Sequence, residues 1–235
     1  MGFTAFKFRT GTDWKRSNMT LQRYIPIMRR LRQAVGPEMD LMHETLGGIA
    51  GMTTLEEVVK EFCPLLEELK VHWFEQPLGG IETYLAINRA LKTVMVSGGE
   101  MNWSRSDIKP WIDSDALDIV QTDTNNTGLS ENWHIARMAH LRGKYHCPHN
   151  WHGGLTTIVN AHLVAAIPNR HMLALNPTIN PLKEEIFMDP LVVRKGYMDL
   201  PNRPGYGVEL IADVEKKFPY EPGNFMRPNP LMPES

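Results

Sequence analysis

Short apolar runs alternate along the chain with longer stretches in which apolar residues recur every three or four positions. The short runs predict strands at Thr4–Phe8, Asp40–His43, His72–Phe74, Val94–Ser97, Leu117–Gln121, Tyr145–Cys147 and His171–Leu175. The longer stretches predict helices between them. In Thr20–Val35, residues Leu21, Tyr24, Ile25, Met28 and Leu31 fall on one helical face, and Thr54–Leu69 repeats the pattern with Leu55, Val58, Val59, Phe62, Leu65, Leu66 and Leu69. Thr53-Thr54-Leu55-Glu56 reads as a capping box opening that second helix. Weaker helical patterns cover Ile81–Leu91, Ser104–Ile112, Ser130–Leu141 and Leu155–Ile167.

Strands separated by helices imply an α/β fold with a parallel sheet, because parallel neighbours need a crossover connection. An open doubly wound sheet and a closed (β/α) barrel of the TIM type both satisfy that pattern. No strand runs into GxGxxG or GxxxxGK[ST], and the pairs Gly47-Gly48 and Gly98-Gly99 need be no more than tight turns, so a nucleotide site has no support. From Asn176 onward prolines break the pattern. We expect a barrel unit over 1–176, incomplete at about seven strands, and an extended, Pro-rich C-terminal arm over 177–235 that packs on it.

Composition narrows the class. Hydrophobic residues at 42% can build a core, and charged residues at 22% are ordinary for a globular chain, which excludes wholesale disorder. With 25 Lys and Arg against 27 Asp and Glu, the chain lacks the basic footprint of a nucleic-acid binder. No apolar run approaches the roughly 18 residues of a membrane span, and the opening MGFTAFKFRTG has no secretory apolar core. A cytoplasmic protein without membrane partners is expected. Two cysteines, Cys63 and Cys147, cannot form a disulfide framework.

The chemistry lies at the strand ends. The strands closing on His43, Phe74 and Ser97 are followed by Glu44, Glu75 and Glu100, the strand closing on Gln121 by Asp123, and that closing on Cys147 by His149. In a barrel these ends converge on one mouth. Three carboxylates from consecutive strands would gather around a hard cation, Mg²⁺ or alternatively Mn²⁺, since all donors are oxygen. The competing account is that each acid only caps the helix that follows it. Lys7 and Arg9, two apart on the first strand, share a face and could bind a carboxylate, or could be solvated on an exposed edge. Asp123 and His149 could form a dyad in which the carboxylate orients the imidazole and raises its basicity. His146 and His152 are weaker candidates, and nothing flanking Cys147 would activate its thiol.

The run LMHETLGG (41–48), with HWFEQPL (72–78), SGGE (97–100), LDIVQTD (117–123), CPHN (147–150) and PNRPGYGVEL (201–210), resembles the enolase superfamily. It is most similar to the mandelate racemase/muconate lactonizing enzyme branch, and within it to the acid-sugar dehydratases. The resemblance implies Mg²⁺ held by Glu44, Glu75 and Glu100, a catalytic His149–Asp123 dyad, and Lys7 and Arg9 on the strand that bears a Lys-x-Lys motif. It implies a lyase: abstraction of the proton α to a sugar-acid carboxylate, then loss of the β-hydroxyl through an enediolate. A racemase, epimerase or cycloisomerase of the same superfamily is the alternative, as is a non-catalytic, truncated barrel serving as a binding or structural subunit.

Three positions depart from that pattern. The first metal ligand sits in Glu44-x-Leu46 instead of Asp-x-Asn. Arg9 replaces a lysine that often serves as base, and arginine stays protonated. Ala174 occupies the place of an eighth-strand glutamate, with Asn176, Glu184 and Glu185 nearby. These changes argue against racemisation with two bases. The chain starts where the family has its second barrel strand, so the resemblance leaves the capping domain and first strand unaccounted for. An open sheet edge at Thr4–Phe8 is then expected to make the isolated chain self-associate, as a homo-oligomer or aggregate, with little dehydratase activity.

Overall fold

The computed structural model describes residues 2–9, 19–45, 53–77 and 79–220. Leu46, Gly47, Gly48, Leu78 and the prolines from Pro222 onward lie outside the described residues. Six strands, β1 (Ala5–Arg9), β2 (Asp40–Glu44), β3 (Val71–Glu75), β4 (Met95–Gly98), β5 (Ile119–Val120) and β6 (Tyr145–His146), form one parallel sheet in chain order. Helices α1 (Leu21–Val35), α2 (55–68), α3 (Ile81–Ala90), α4 (Arg105–Asp113), α5 (Thr124–Thr127), α6 (Leu129–Leu141) and α7 (Gly154–Ala166) cross between strands or follow them. This is the α/β arrangement of a TIM-type barrel, left unclosed among the described residues.

The expected seventh strand at His171–Leu175 is not one. His146 donates to the Asn169 carbonyl and accepts from the His171 amide, which makes a single parallel bridge, His146 to Arg170. Beyond it the Met172 and Ala174 amides turn to the Cys147 sulfur, and Asn150 Nδ2 takes the Ala174 carbonyl at 2.7 Å. The ladder's acceptors are replaced by side-chain partners, and pairing stops.

Helix α2 was expected to be uninterrupted. It is α-helical over Leu55–Glu57, π over Val58–Phe62 and α again over Cys63–Glu68. Pro64 has no N–H for the Lys60 carbonyl and its ring would clash there; widening the turn, with Cys63 N–H bonded to the Val58 carbonyl, relieves both. The capping box is one residue later than expected. Thr54 is the N-cap and Glu57 returns the bond, while Glu56 pairs with Lys60.

Alternation along the strands sorts two layers. Phe8, Phe74, Val96 and Val120 face the helices and pack with Met28, Phe62, Leu66, Ile108 and Ile135. Buried His43 also faces outward, wedged among Phe8, Tyr24, Phe62 and Phe74, with burial pushing its pKa down to about 3. The inward face carries an apolar layer of Met42, Trp73, Ile119 and Cys147, with Ala5, Met95 and Met172. Two residues further along each of these strands comes a polar one, and this second layer is the site.

The segment after Asn176 was expected to be extended. It folds into short elements instead: α8 (Pro181–Glu184), a hairpin of β7 (Val193–Arg194) and β8 (Tyr197–Met198), and α9 (Val214–Lys217). Ile186 and Phe187 pack on Ile158 of α7 with Leu191, Leu200, Val208, Val214 and Phe218 alongside. The hairpin turns through Lys195 (φ 51°) and Gly196 (φ 80°), the left-handed pair that a tight two-residue turn needs. That turn lies against Gly2, where an added Cβ would meet the Lys195 Cα at 2.9 Å.

One charge anchors the sheet from outside. Glu67 near the end of α2 accepts from the amides of Lys92, Thr93 and Val94 and from the Thr93 hydroxyl, fixing the lead into β4. Burial alone would raise its pKa, but these four bonds outweigh it and hold the carboxyl down at about 2. Because the folded-state value is depressed, its contribution is complete above the ordinary carboxylate range and is lost as pH falls through about 2. Glu67→Gln is expected to cost about 1–3 kcal/mol at neutral pH, measured by urea denaturation. The difference between the two proteins should shrink as the pH is lowered.

Candidate active site

The inward residues above the apolar layer are Lys7 and Arg9 of β1, Glu44 of β2, Glu75 of β3 and Ser97 of β4, followed by Gln121, Asp123 and His149 beyond the ends of β5 and β6. Parallel register brings them level: Arg9 pairs with Glu44, Glu44 with Glu75, and Glu75 with Ser97. Glu44, Glu75 and Glu100 each present a carboxylate oxygen within 4.8 Å of the others. Glu75 is held from below, its Oε2 accepting from Trp73 Nε1 and Gln121 Nε2, both at 2.9 Å. Among the described residues the capping account fails for all three acids, since α2 is capped by Thr54, α3 by Gly80 and α4 by Ser104.

Positive charge accompanies the trio. Lys7 Nζ donates to Glu75 Oε1 and lies 3.4 Å from Glu44 Oε2; Arg9 Nη2 meets Glu44 Oε1 at 2.9 Å. Burial works against a charged Lys7, yet Glu75 and Glu44 outweigh it and raise the ammonium pKa. Burial, reinforced by Glu75 and Glu44, raises the Glu100 carboxyl above the usual range despite the opposing His149. The all-oxygen donor set, gathered at the open end of the sheet, suits a hard divalent cation and gives no preference to zinc or copper.

Asp123 and His149 are together as expected. His149 Nδ1 lies 2.7 Å from Asp123 Oδ2, and His149 Nε2 lies 3.2 Å from Glu100 Oε2. Asp123 also caps α5, its Oδ1 accepting from the Asn125 amide at 2.7 Å. One carboxylate therefore serves as both helix cap and imidazole partner. Asn160 Nδ2 fixes the His149 carbonyl at 3.0 Å, and Asn132 holds Thr122 before Asp123. Burial opposes protonation of His149, but the Asp123 bond and the Glu100 charge win, and its pKa is raised.

His146 is fully buried and points away, whereas His152 comes to 3.4 Å from Asp123 Oδ2, nearer than its sequence position promised. The side chain of Asn176 bonds the Trp151 carbonyl and the Thr178 amide, and Glu184 and Glu185 pair with Lys183 and Lys217. Glu184 and Glu185 are thereby held within the C-terminal segment, while Asn176 ties the start of that segment to the loop after His149. Trp73, Gln121 and Asn160 were not singled out in the sequence. Trp73 and Gln121 lay inside quoted motifs, and their two-residue offset from strand-end positions was the readable sign.

The matching family model, described as enolase C-terminal domain-like, covers residues 1–214. The chain belongs to that family. An arabinonate dehydratase of Saccharolobus solfataricus is 30% identical over 223 residues, which cover 93% of this chain and 56% of the relative. A D-galactarolactone cycloisomerase of Agrobacterium fabrum is 26% identical, covering 92% of this chain and 57% of the relative. The crystal structure of the 3,6-anhydro-D-galactonate cycloisomerase from Zobellia galactanivorans superposes with a TM-score of 0.78 at 27% identity, over 92% of this chain and 57% of that one. The chain thus spans a little over half the length of these family members. No helix among the described residues is long and apolar enough to cross a membrane.

The imidazole of His149 should titrate above 6.5, its ordinary value. Asp123→Asn should lower that midpoint, because the loss of a hydrogen-bonded charge destabilises the imidazolium. Histidine titration by NMR reads both.

Proposed function

We propose that this chain carries the metal-binding and acid–base residues of a hydro-lyase that dehydrates a sugar acid, an aldonate or aldarate. The observation that carries the reading is the adjacency of a buried carboxylate trio to a His–Asp dyad, with His149 Nε2 3.2 Å from Glu100. The dehydratase name of the 30%-identical relative supports the choice of reaction. Glu44, Glu75 and Glu100 would hold Mg²⁺, or Mn²⁺. When bound, the cation supplies positive charge to the substrate carboxylate, whose α-proton is otherwise too weakly acidic to remove.

The residues then divide the work. Lys7 and Arg9 add positive charge where the substrate carboxylate becomes an enediolate. Neutral His149 takes the α-proton at Nε2 while Asp123 stabilises the imidazolium through Nδ1. The electron pair left at the α-carbon returns to form the double bond and expels the β-hydroxyl. The imidazolium proton passes to that hydroxyl, which leaves as water, and His149 is neutral again. Trp73 and Gln121 keep Glu75 oriented throughout.

A second reading is cycloisomerisation, favoured by the names of two relatives. It shares the α-proton step and differs in where the electron pair goes. Racemisation fits less well: it needs a base on each face, and Arg9 and Ala174 occupy the positions from which a second base would come.

Two measurements test the proposal. Calorimetric titration of Mg²⁺ should show binding weakened by well over tenfold in Glu100→Gln, since one of three anionic ligands is lost; equal affinity would refute a shared site. Second, Mg²⁺-dependent exchange of the α-proton of an acid sugar into D₂O, followed by NMR across a sugar-acid library, should fall about 10²–10⁴-fold in His149→Asn. The losses in His149→Asn, Asp123→Asn and the double variant should be strongly non-additive. Additive losses, or a His149→Asn protein at wild-type rate, would dissolve the dyad. Appearance of a 2-keto-3-deoxy acid in the same spectra, formed when the enol left by water loss tautomerises, separates dehydration from cycloisomerisation.

A further inference from the structure

A second group of ligating side chains lies at the opposite end of the strands. The step from Leu41 to Met42 on β2 is matched on β3 by the step from Val71 to Trp73, so His72 is an extra residue in the ladder. Such a bulge re-aims its side chain. Here it brings His72 Nε2 within 2.9 Å of His171 Nε2, on the segment just past the Arg170 bridge, 99 residues away in sequence. The two rings lie 4.8 Å apart, and Trp73 and Tyr145 set their edges against His171 at 5.6 and 5.3 Å. At about 3.3 Å per residue the pair sits roughly 10 Å from Glu75 along the strand, clear of the carboxylate site.

We propose that His72 and His171 form a two-imidazole site for a first-row transition-metal ion, with Zn²⁺ as the probe, beneath the apolar layer of the barrel. Two nitrogens meeting head-on must share a proton or a cation, because two facing lone pairs repel. Tetrahedral ligation with Zn–N distances of about 2.0–2.1 Å needs the nitrogens about 3.3 Å apart, a few tenths of an ångström more than here. Imidazole nitrogen suits Zn²⁺, Co²⁺, Ni²⁺ or Cu²⁺ and is a poor donor for Mg²⁺, so the two ends of the barrel would select different metals. Burial, with His72 adding to it, pushes the His171 pKa down to about 4, which keeps its lone pair available at neutral pH. The Asp40 carboxylate acts on His171 through space, favouring positive charge there. Both histidines are half-buried, which leaves room for an ion to enter and for water to complete its shell.

Such an ion would do structural work. The segment around His171 joins the sheet through one bridge, and a cross-link over 99 residues closes a long loop, where a clip gains most. Zinc calorimetry on the full chain in saturating Mg²⁺ tests this. Wild type should bind one Zn²⁺ more than His72→Gln and one more than His171→Gln, with Mg²⁺ affinity equal in all three as the check on folding. Zinc at 100 times its Kd should raise the wild-type melting temperature by about 5–10 °C, a shift both variants lack. Equal zinc stoichiometry in wild type and folded variants would overturn the site. So would wild-type imidazole NMR spectra in which the resonances of His72 and His171 stay unmoved on adding Zn²⁺, a result that needs no variant.

Discussion

Three carboxylates can be gathered within 4.8 Å in a buried place only if positive charge is gathered with them. At an effective dielectric of about 20, two like charges about 4 Å apart repel by about 4 kcal/mol, and burial adds the loss of hydration. The β1 strand answers this directly. Lys7 reaches Glu44 and Glu75, and Arg9 reaches Glu44, so the strand that lies at one edge of the sheet supplies the countercharge for its neighbours. Glu100, 3.2 Å from His149, keeps a raised pKa, through its burial first and the nearby Glu75 and Glu44 charges second.

That arrangement depends on the apolar layer beneath it. Met42, Trp73, Ile119 and Cys147 fill the interior below the charged residues, so the polar layer lies toward the strand ends. Trp73 joins the layers, its ring packed below and its N–H given to Glu75. Gln121 makes the matching bond from the other side. Both bonds fall on Oε2, which leaves Oε1 turned toward Lys7 and the other carboxylates. The His149–Asp123 pair is built by a separate device: Asp123 is locked by the first turn of α5, and His149 is held at its carbonyl by Asn160 of α7. Helices on the outer side thus set the positions of groups that face the inner side.

Alternation and helical spacing, which are local, were enough to establish the α/β class, the helices and the first six strands within a few residues. The same local logic put Glu44, Glu75, Glu100, Asp123 and His149 at strand ends, and parallel register then made them neighbours. Where the sequence reading failed, a non-local or stereochemical term intervened. Pro64 forced a π turn into a helix whose apolar spacing is unbroken. Asn150 and the Cys147 sulfur drew off the backbone groups of a seventh segment whose composition reads as strand. Prolines after Asn176 suggested extension, but Ile186 and Phe187 found an apolar surface on α7 and folded the segment around it.

By itself the sequence determined which residue types stand at which strand ends, because side-chain direction in a strand repeats every two residues whatever the surroundings. Only the tertiary structure decided which of them meet. Asp123 serves two partners because α5 begins where His149 arrives. Glu75 is gripped by Trp73 and Gln121 because two strand positions fall level across the interior. His72 reaches His171 because a bulge on β3 adds one residue to the ladder. Each is a matter of register and of distance in space, set when separate strands pack together, and no local pattern carries that information.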